Sequence, residues 1–164
     1  MPDNREFEIS EAAALPQLQF VFELMVKIGP TVELGSTSFG ARRMVPITGG
    51  TVTGSLVSGR VLPGGADWQF IHDDGLTLVH ARYVIQTDDD VCIEVRNRGI
   101  RHGSSDLMER IAAGKVVAPD EYYFRTTPCF YPPRGRYDWL RRSIFVGVGE
   151  RYSDLVVVRV WSVA

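Results

Sequence analysis

The sequence predicts an all-β chain closed into an antiparallel β-barrel of about 8–10 strands with one short helix, a two-sheet β-sandwich being the alternative architecture. Three observations lead there. Apolar residues recur at every second position in at least five segments, the pattern of strands with one buried face. Only one stretch, around residues 106–113, has the composition of a helix. Clusters of Gly, Pro and Asp punctuate the periodic runs at short spacing, so most connections read as hairpins. At 164 residues, 45% of them hydrophobic, the chain suits a single domain over 1–164 with a real core.

The elements follow in order. Residues 1–15 carry no periodicity and are expected to form an extended or flexible N-terminal arm. Leu18, Phe20, Phe22, Leu24, Val26 and Ile28 alternate with residues such as Gln19, Glu23 and Lys27, which predicts a long strand burying its even positions. Gly29-Pro30 ends it. Thr31 to Leu34 and Arg42 to Ile47 are further extended pieces, the second containing Pro46. Gly49-Gly50 reads as a turn and Thr51 to Leu62 as a long strand. Its interior Gly54 and Gly59 suggest a bulge or a barrel corner. After Pro63-Gly64-Gly65, Ala66 to His72 is a short strand, and Asp73-Asp74-Gly75 makes a hairpin loop.

Leu76 to Thr87 and Val91 to Asn97 read as a hairpin joined at Asp88-Asp89-Asp90. On the first strand Thr77, Val79, Ala81, Tyr83 and Ile85 form the more apolar face, which places Tyr83 inside. On the second, Val91, Ile93 and Val95 form the buried face and Asn97 continues it. The helix follows, with Ser104 or Ser105 as its cap, Gly114 as its stop and Leu107, Met108 and Ile111 as its apolar stripe. Glu121 to Thr127 is a strand ending at Pro128 and a Pro-rich loop. Trp139 to Val148 is a strand, Gly149 to Asp154 a turn, and Leu155 to Val163 the last strand. Closing the sheet leaves no exposed edges, and eight or more strands leave room for a small ligand.

Composition excludes several functions. Lys plus Arg is 18 against 20 for Asp plus Glu, a net charge of −2, so no basic nucleic-acid footprint exists and no nucleic-acid partner is expected. Of the basic residues 16 are Arg, concentrated at Arg96, Arg98 and Arg101 and at Arg134, Arg136, Arg141 and Arg142, which read as solvated faces and cross-strand pairs. The N-terminus lacks the pattern of a secretory signal, and no apolar run nears the ~20 residues of a membrane helix. A soluble cytoplasmic protein with reduced thiols and no membrane partner is therefore expected. Cys92 and Cys129 stand far apart, and His72, His80 and His102 form no ligand motif, so no metal and no cofactor is expected. No nucleophile elbow, P-loop or dinucleotide fingerprint is present.

The residues that suggest chemistry lie on or beside the strands. Trp68, with Asp67 and Gln69 beside it, is either the stacking wall of a pocket or a core plug. Tyr83 and Tyr123 are candidate proton donors, and His102, in the Arg101-His102-Gly103 loop, is a candidate general base. Asn97 would be a buried amide needing partners or a ligand. Arg125 shares a face with Tyr123 and could hold an anionic oxygen, or pair with an acid such as Asp67. Trp139 shares a predicted strand face with Arg141 and could meet them. Trp68, Tyr83, Asn97, Tyr123, Arg125 and Trp139 are expected to converge on one cavity, at least four of the six lining it.

The strings GGTVTG at 49–54, GRVLPGGADWQ at 59–69, ARYVIQTDD at 81–89, YYFRTTPCF at 122–130 and WLRRSIFVGVGER at 139–151 occur in an order that resembles the domain-of-unknown-function family 3237, also called uncharacterised protein family 0311. The resemblance spans roughly residues 15–163. It implies a β-barrel in a small soluble protein and no assigned activity. The chain departs from the family's pattern at His80, at Asp90 (where the acidic turn often closes with Gly), at Phe130-Tyr131-Pro132 and at Arg141. The residues themselves point to a cofactor-independent acid/base enzyme of isomerase, cyclase, lyase or hydrolase type, acting on a small hydrophobic or aromatic molecule in the barrel. Tyr83, Tyr123 and His102 would move protons; Trp68, Gln69, Asn97, Arg125 and Trp139 would bind. The alternative is a non-catalytic barrel binding the same small-molecule ligand, and assembly into a homo-oligomer stays open.

Overall fold

The computed structural model describes residues 15–164. The expected N-terminal arm, apart from Leu15, lies outside the described residues. Ten strands form: β1 (Leu18–Ile28), β2 (Val32–Thr37), β3 (Gly40–Thr53), β4 (Gly59–Val61), β5 (Gly65–Ile71), β6 (Thr77–Thr87), β7 (Cys92–His102), β8 (Tyr123–Tyr131), β9 (Ile144–Arg151) and β10 (Leu155–Val163). Helix α1 (Ser105–Ala112) joins β7 to β8, and short 3-10 helices occupy Pro119–Glu121 and Asp138–Arg142. The strands run antiparallel in the order β1-β10-β9-β8-β7-β6, and β5 pairs with both β6 and β3. Pairing of β3 with β1 then closes an eight-stranded barrel, to which β2 and β4 are additions.

The inward positions pack as expected where alternation is uninterrupted. Phe22, Leu24, Ile85, Ile93, Val95, Phe145 and Val160 are almost fully buried in the main core. The β6–β7 hairpin keeps one register from Thr77 opposite Arg101 to Gln86 opposite Cys92. Its turn places Asp90 at φ +65°, a left-handed conformation that favours glycine. The Ser104 hydroxyl accepts from the Leu107 N–H and starts α1, whose Leu107 and Ile111 close one end of the barrel against Val79, Val117, Tyr122 and Phe124.

Four expectations are corrected. A bulge between Phe20 and Phe22 shifts the face of β1, so Val21 turns inward while Leu18 and Phe20 stay 59% and 55% exposed. Gly49-Gly50 is no turn: β3 runs through both, at φ +151° and +138°, and a side chain at Gly50 would collide with the Met25 carbonyl of β1. The chain breaks instead at 54–58, before β4. Pro128 does not end β8, which pairs onward to Tyr131 opposite Glu94. Trp139 lies on a 3-10 helix rather than on a strand.

Candidate functional site

Strand alternation turns a set of polar residues inward near the end of the barrel that α1 closes. Asp67 and Gln69 on β5, Tyr83 on β6, Asn97 and Arg101 on β7, Thr126 on β8 and Arg151 on β9 line a cavity of about 50 Å³, with Val45, Val79, Phe124 and Val158 as apolar walls. Gln69, Tyr83, Asn97, Arg101 and Thr126 are all buried.

A chain of hydrogen bonds fixes one side of this cavity. Arg43 Nε–H donates to Gln69 Oε1 at 2.7 Å, and the Gln69 amide donates to Asp67 Oδ2 at 2.5 Å. The His80 N–H donates to Asp67 Oδ1 at 2.8 Å. The β5–β6 ladder pairs Ala66 with Arg82 and Asp67 with Ala81, then resumes at Phe70 with Leu78. Trp68 and Gln69 have no partner on β6 in between, and the Asp67 carboxylate takes a backbone N–H there. The other side of the cavity is unsatisfied. Tyr83 Oη, Asn97 Oδ1, Arg101 Nε and Thr126 Oγ1 are buried and have no hydrogen-bond partner among the described residues. A buried polar atom left so costs about 1–3 kcal/mol, and four around one cavity need explaining.

The charges there are strained. Burial pushes the Asp67 carboxyl above its ordinary range, and the hydrogen bonds from Gln69 and His80 offset this in part. Burial also raises the Tyr83 phenol, with the Asp67 charge adding to the effect, so it stays protonated through the neutral range. Burial, reinforced by Arg43 and Arg151, lowers Arg101 to about 10. Arg43 and Arg151 are themselves lowered, chiefly by burial. Arg101 lies over the Phe124 ring at 5.5 Å, and its guanidinium forms no ion pair with a carboxylate among the described residues. All three arginines feel the charge of Asp67, with Glu33 also acting on Arg43 and Asp154 on Arg151.

A second, larger hollow of about 1000 Å³ is lined by the opposite parity of the same strands, including Trp68, His80, Arg98, Tyr123 and Arg125. The proposed site residues therefore separate. Gln69, Tyr83 and Asn97 meet at the interior cavity, whereas Trp68, Tyr123 and Arg125 line the larger hollow. His102 stacks on Tyr123, ring centroids 5.0 Å apart, and Trp139 packs at 6.1 Å from Phe145. Of the six residues expected to converge, at most three share a cavity. The reason is parity: neighbours such as Trp68 and Gln69 face opposite sides of a strand. Sequence reasoning missed Asp67, Arg101, Thr126, Arg43 and Arg151. For Arg101 the signal was present, since Asn97, Gly99 and Arg101 share one face. Reading it among solvated arginines was a mistake: it is 1% exposed.

Among the described residues, no group of three or more His, Cys, Asp and Glu side chains could hold a metal ion, and no helix is long and apolar enough to cross a membrane. The latter says nothing about strands. Cys92 and Cys129 are exposed free thiols.

Fold and cavity together define a small closed antiparallel barrel with a polar cluster buried in its interior. The chain belongs to the family described as "Protein of unknown function (DUF3237)", whose pattern matches residues 16–163. It is 39% identical over 147 residues to a UPF0311 protein of Rhodopseudomonas palustris (strain TIE-1), covering 90% of this chain and 96% of the relative. A UPF0311 protein of Clostridium acetobutylicum is 34% identical over 145 residues, covering 88% of this chain and 92% of the relative. The crystal structure of the conserved protein of unknown function RPA1785 from Rhodopseudomonas palustris superimposes with a TM-score of 0.90 at 38% identity, over 92% of this chain and 99% of that one. A beta-barrel like protein from Acinetobacter baumannii gives 0.81 at 37% identity, over 92% and 98% of the two chains. A protein described as an enzyme from Penicillium herquei shares the fold, with a TM-score of 0.69 at 20% identity over 92% and 96%.

Proposed function

We propose that this chain is a cofactor-independent acid/base enzyme whose reacting group sits in the interior cavity. The observation that carries the reading is the set of four unpartnered buried polar atoms, on Tyr83, Asn97, Arg101 and Thr126, facing the same cavity as the desolvated Asp67. Tyr83 O–H and Arg101 Nε–H are two donors suited to an oxygen on which negative charge develops. Asp67, raised by burial and oriented by Gln69, is the general base. Together they suit removal of a proton beside a carbonyl, the step that isomerisation and many cyclisations share. A cavity of about 50 Å³ admits a carbonyl-sized group rather than a whole ring, so only the reacting head of a substrate belongs there. The Penicillium herquei protein described as an enzyme shares the fold alone and lends this reading no residue.

Non-catalytic binding is the second reading. One observation favours it: both Asp67 oxygens already accept hydrogen bonds. Deuterium wash-in at the α-carbon of small 1,3-dicarbonyl compounds, followed by proton NMR, separates the two. The catalytic reading expects acceleration by the native protein and a loss of about 100-fold or more in Asp67→Asn. Tight binding of the same compounds without acceleration would establish the binding barrel instead.

A further inference from the structure

We propose that the larger hollow is a second binding site, for an amphipathic organic anion: a flat or chain-like apolar body carrying a carboxylate, sulfonate or similar group. This does not depend on the reading of the interior cavity. The hollow's volume of about 1000 Å³ lies at the upper end of the usual range for small-molecule sites. Trp68, Phe70, Leu78, Ile100, Tyr123 and Trp161 give it apolar walls. Among the described residues its charged lining has a single sign, since Arg42, Arg98 and Arg125 contribute to it and no Asp or Glu does.

These three arginines are held without neutralisation. Arg42 lies 3.9 Å over the Phe70 ring. Arg98 Nε–H donates to His80 Nε2 at 3.3 Å. Arg125 donates to the Phe124 carbonyl at 3.1 Å and lies 5.1 Å from the Tyr123 ring. None of them pairs with a carboxylate among the described residues. Elsewhere on the surface such pairs are common: Arg82 and Arg96 meet Glu94, Arg141 and Arg142 meet Asp138, and Arg159 meets Glu23. Aromatic and carbonyl contacts fix the guanidinium groups while leaving N–H donors for a ligand, an arrangement suited to an anionic group. A second copy of the chain fits less well, because a two-fold contact through this surface would bring like charges together.

The test uses 2-naphthoate, its uncharged methyl ester and 2-naphthylmethylammonium, titrated against the full chain by calorimetry and by quenching of tryptophan emission. The proposal expects 2-naphthoate to bind, the ester to bind at least about tenfold more weakly and the ammonium compound not at all. Arg98→Gln and Arg125→Gln should each weaken 2-naphthoate by about tenfold, and Arg136→Gln, at an arginine paired with Asp89 outside the hollow, should leave it unchanged. Circular dichroism confirms the fold of each variant, and Arg42→Gln replaces any that fails to fold. Equal affinity for acid and ester, or unchanged binding in the arginine variants, overturns the proposal. So does a dimer in sedimentation that must dissociate before the acid binds, which would make this surface an interface between copies.

Discussion

Replacing Arg101 with methionine should make the protein more stable while removing the proposed activity. Arg101 is 1% exposed and has no carboxylate partner among the described residues. Burial lowers its guanidinium from the ordinary arginine range to about 10. At about 1.4 kcal/mol per tenfold, that gap sets the penalty on the buried charge at about 3 kcal/mol. The folded value lies below the unfolded one, so the penalty is fully present below about pH 10 and fades as pH rises above it toward the ordinary arginine value. Against it stands the loss of the desolvated cation over Phe124, about 2 kcal/mol. Methionine fills the volume of the arginine stem and leaves no buried donor behind. The net expectation at neutral pH is a gain of about 1 kcal/mol in urea unfolding, or roughly 2–4 °C in Tm for a chain of this size. The same variant should lose the exchange activity. A loss of stability above about 1 kcal/mol would refute the reasoning: Arg101 would then belong to a satisfied structural network, and the cavity would owe nothing to a ligand.

Other outcomes follow from the same geometry. Phe22→Ala, at a fully buried ring 5.5 Å from Phe130, should lower the unfolding free energy by about 3–5 kcal/mol in urea titration. Gly99→Ala should cost at least about 1–3 kcal/mol, because the added methyl collides with the Arg125 carbonyl and the Thr126 side chain; an unchanged Tm would show that β7 and β8 are less closely apposed than described. Asp67 has a folded pKa above its unfolded one, so its contribution to stability declines as pH rises from the unfolded value through the folded one. The stability of Asp67→Asn should accordingly depend less on pH across that acidic window, and parallel profiles for native and variant would contradict the raised value.

Alternation made much of the barrel legible in the sequence, and local backbone geometry hid the rest. The β6–β7 hairpin is uninterrupted, so its inward face, Tyr83 and Asn97 included, could be read directly. At β1 a bulge at Phe20 exchanged faces for the first residues, and nothing in an unbroken apolar alternation signals that. Gly49-Gly50 has turn chemistry, yet β3 uses both glycines so that β1 can approach its backbone. The candidate site was half legible. Gln69, Tyr83 and Asn97 follow from parity or from their neighbours. For Asp67 and Arg101 the charge masks the parity, because charged side chains are ordinarily assigned to solvent. Arg101 lies four residues beyond Asn97, on the same inward face. Trp68, Tyr123 and Arg125 carry attractive chemistry but share the other face, and no counting of aromatic residues could have separated the two hollows.

The interior cluster is proposed to bind the reacting oxygen of a small molecule. A high-resolution crystal structure of the protein soaked with a small 1,3-dicarbonyl compound tests it most directly. The expected result is a carbonyl oxygen in the interior cavity, accepting hydrogen bonds from Tyr83 Oη and Arg101 Nε, with the adjacent carbon facing Asp67. A cavity filled only by waters that satisfy Tyr83, Asn97, Arg101 and Thr126, with the compound absent or bound only at the larger hollow, would contradict it.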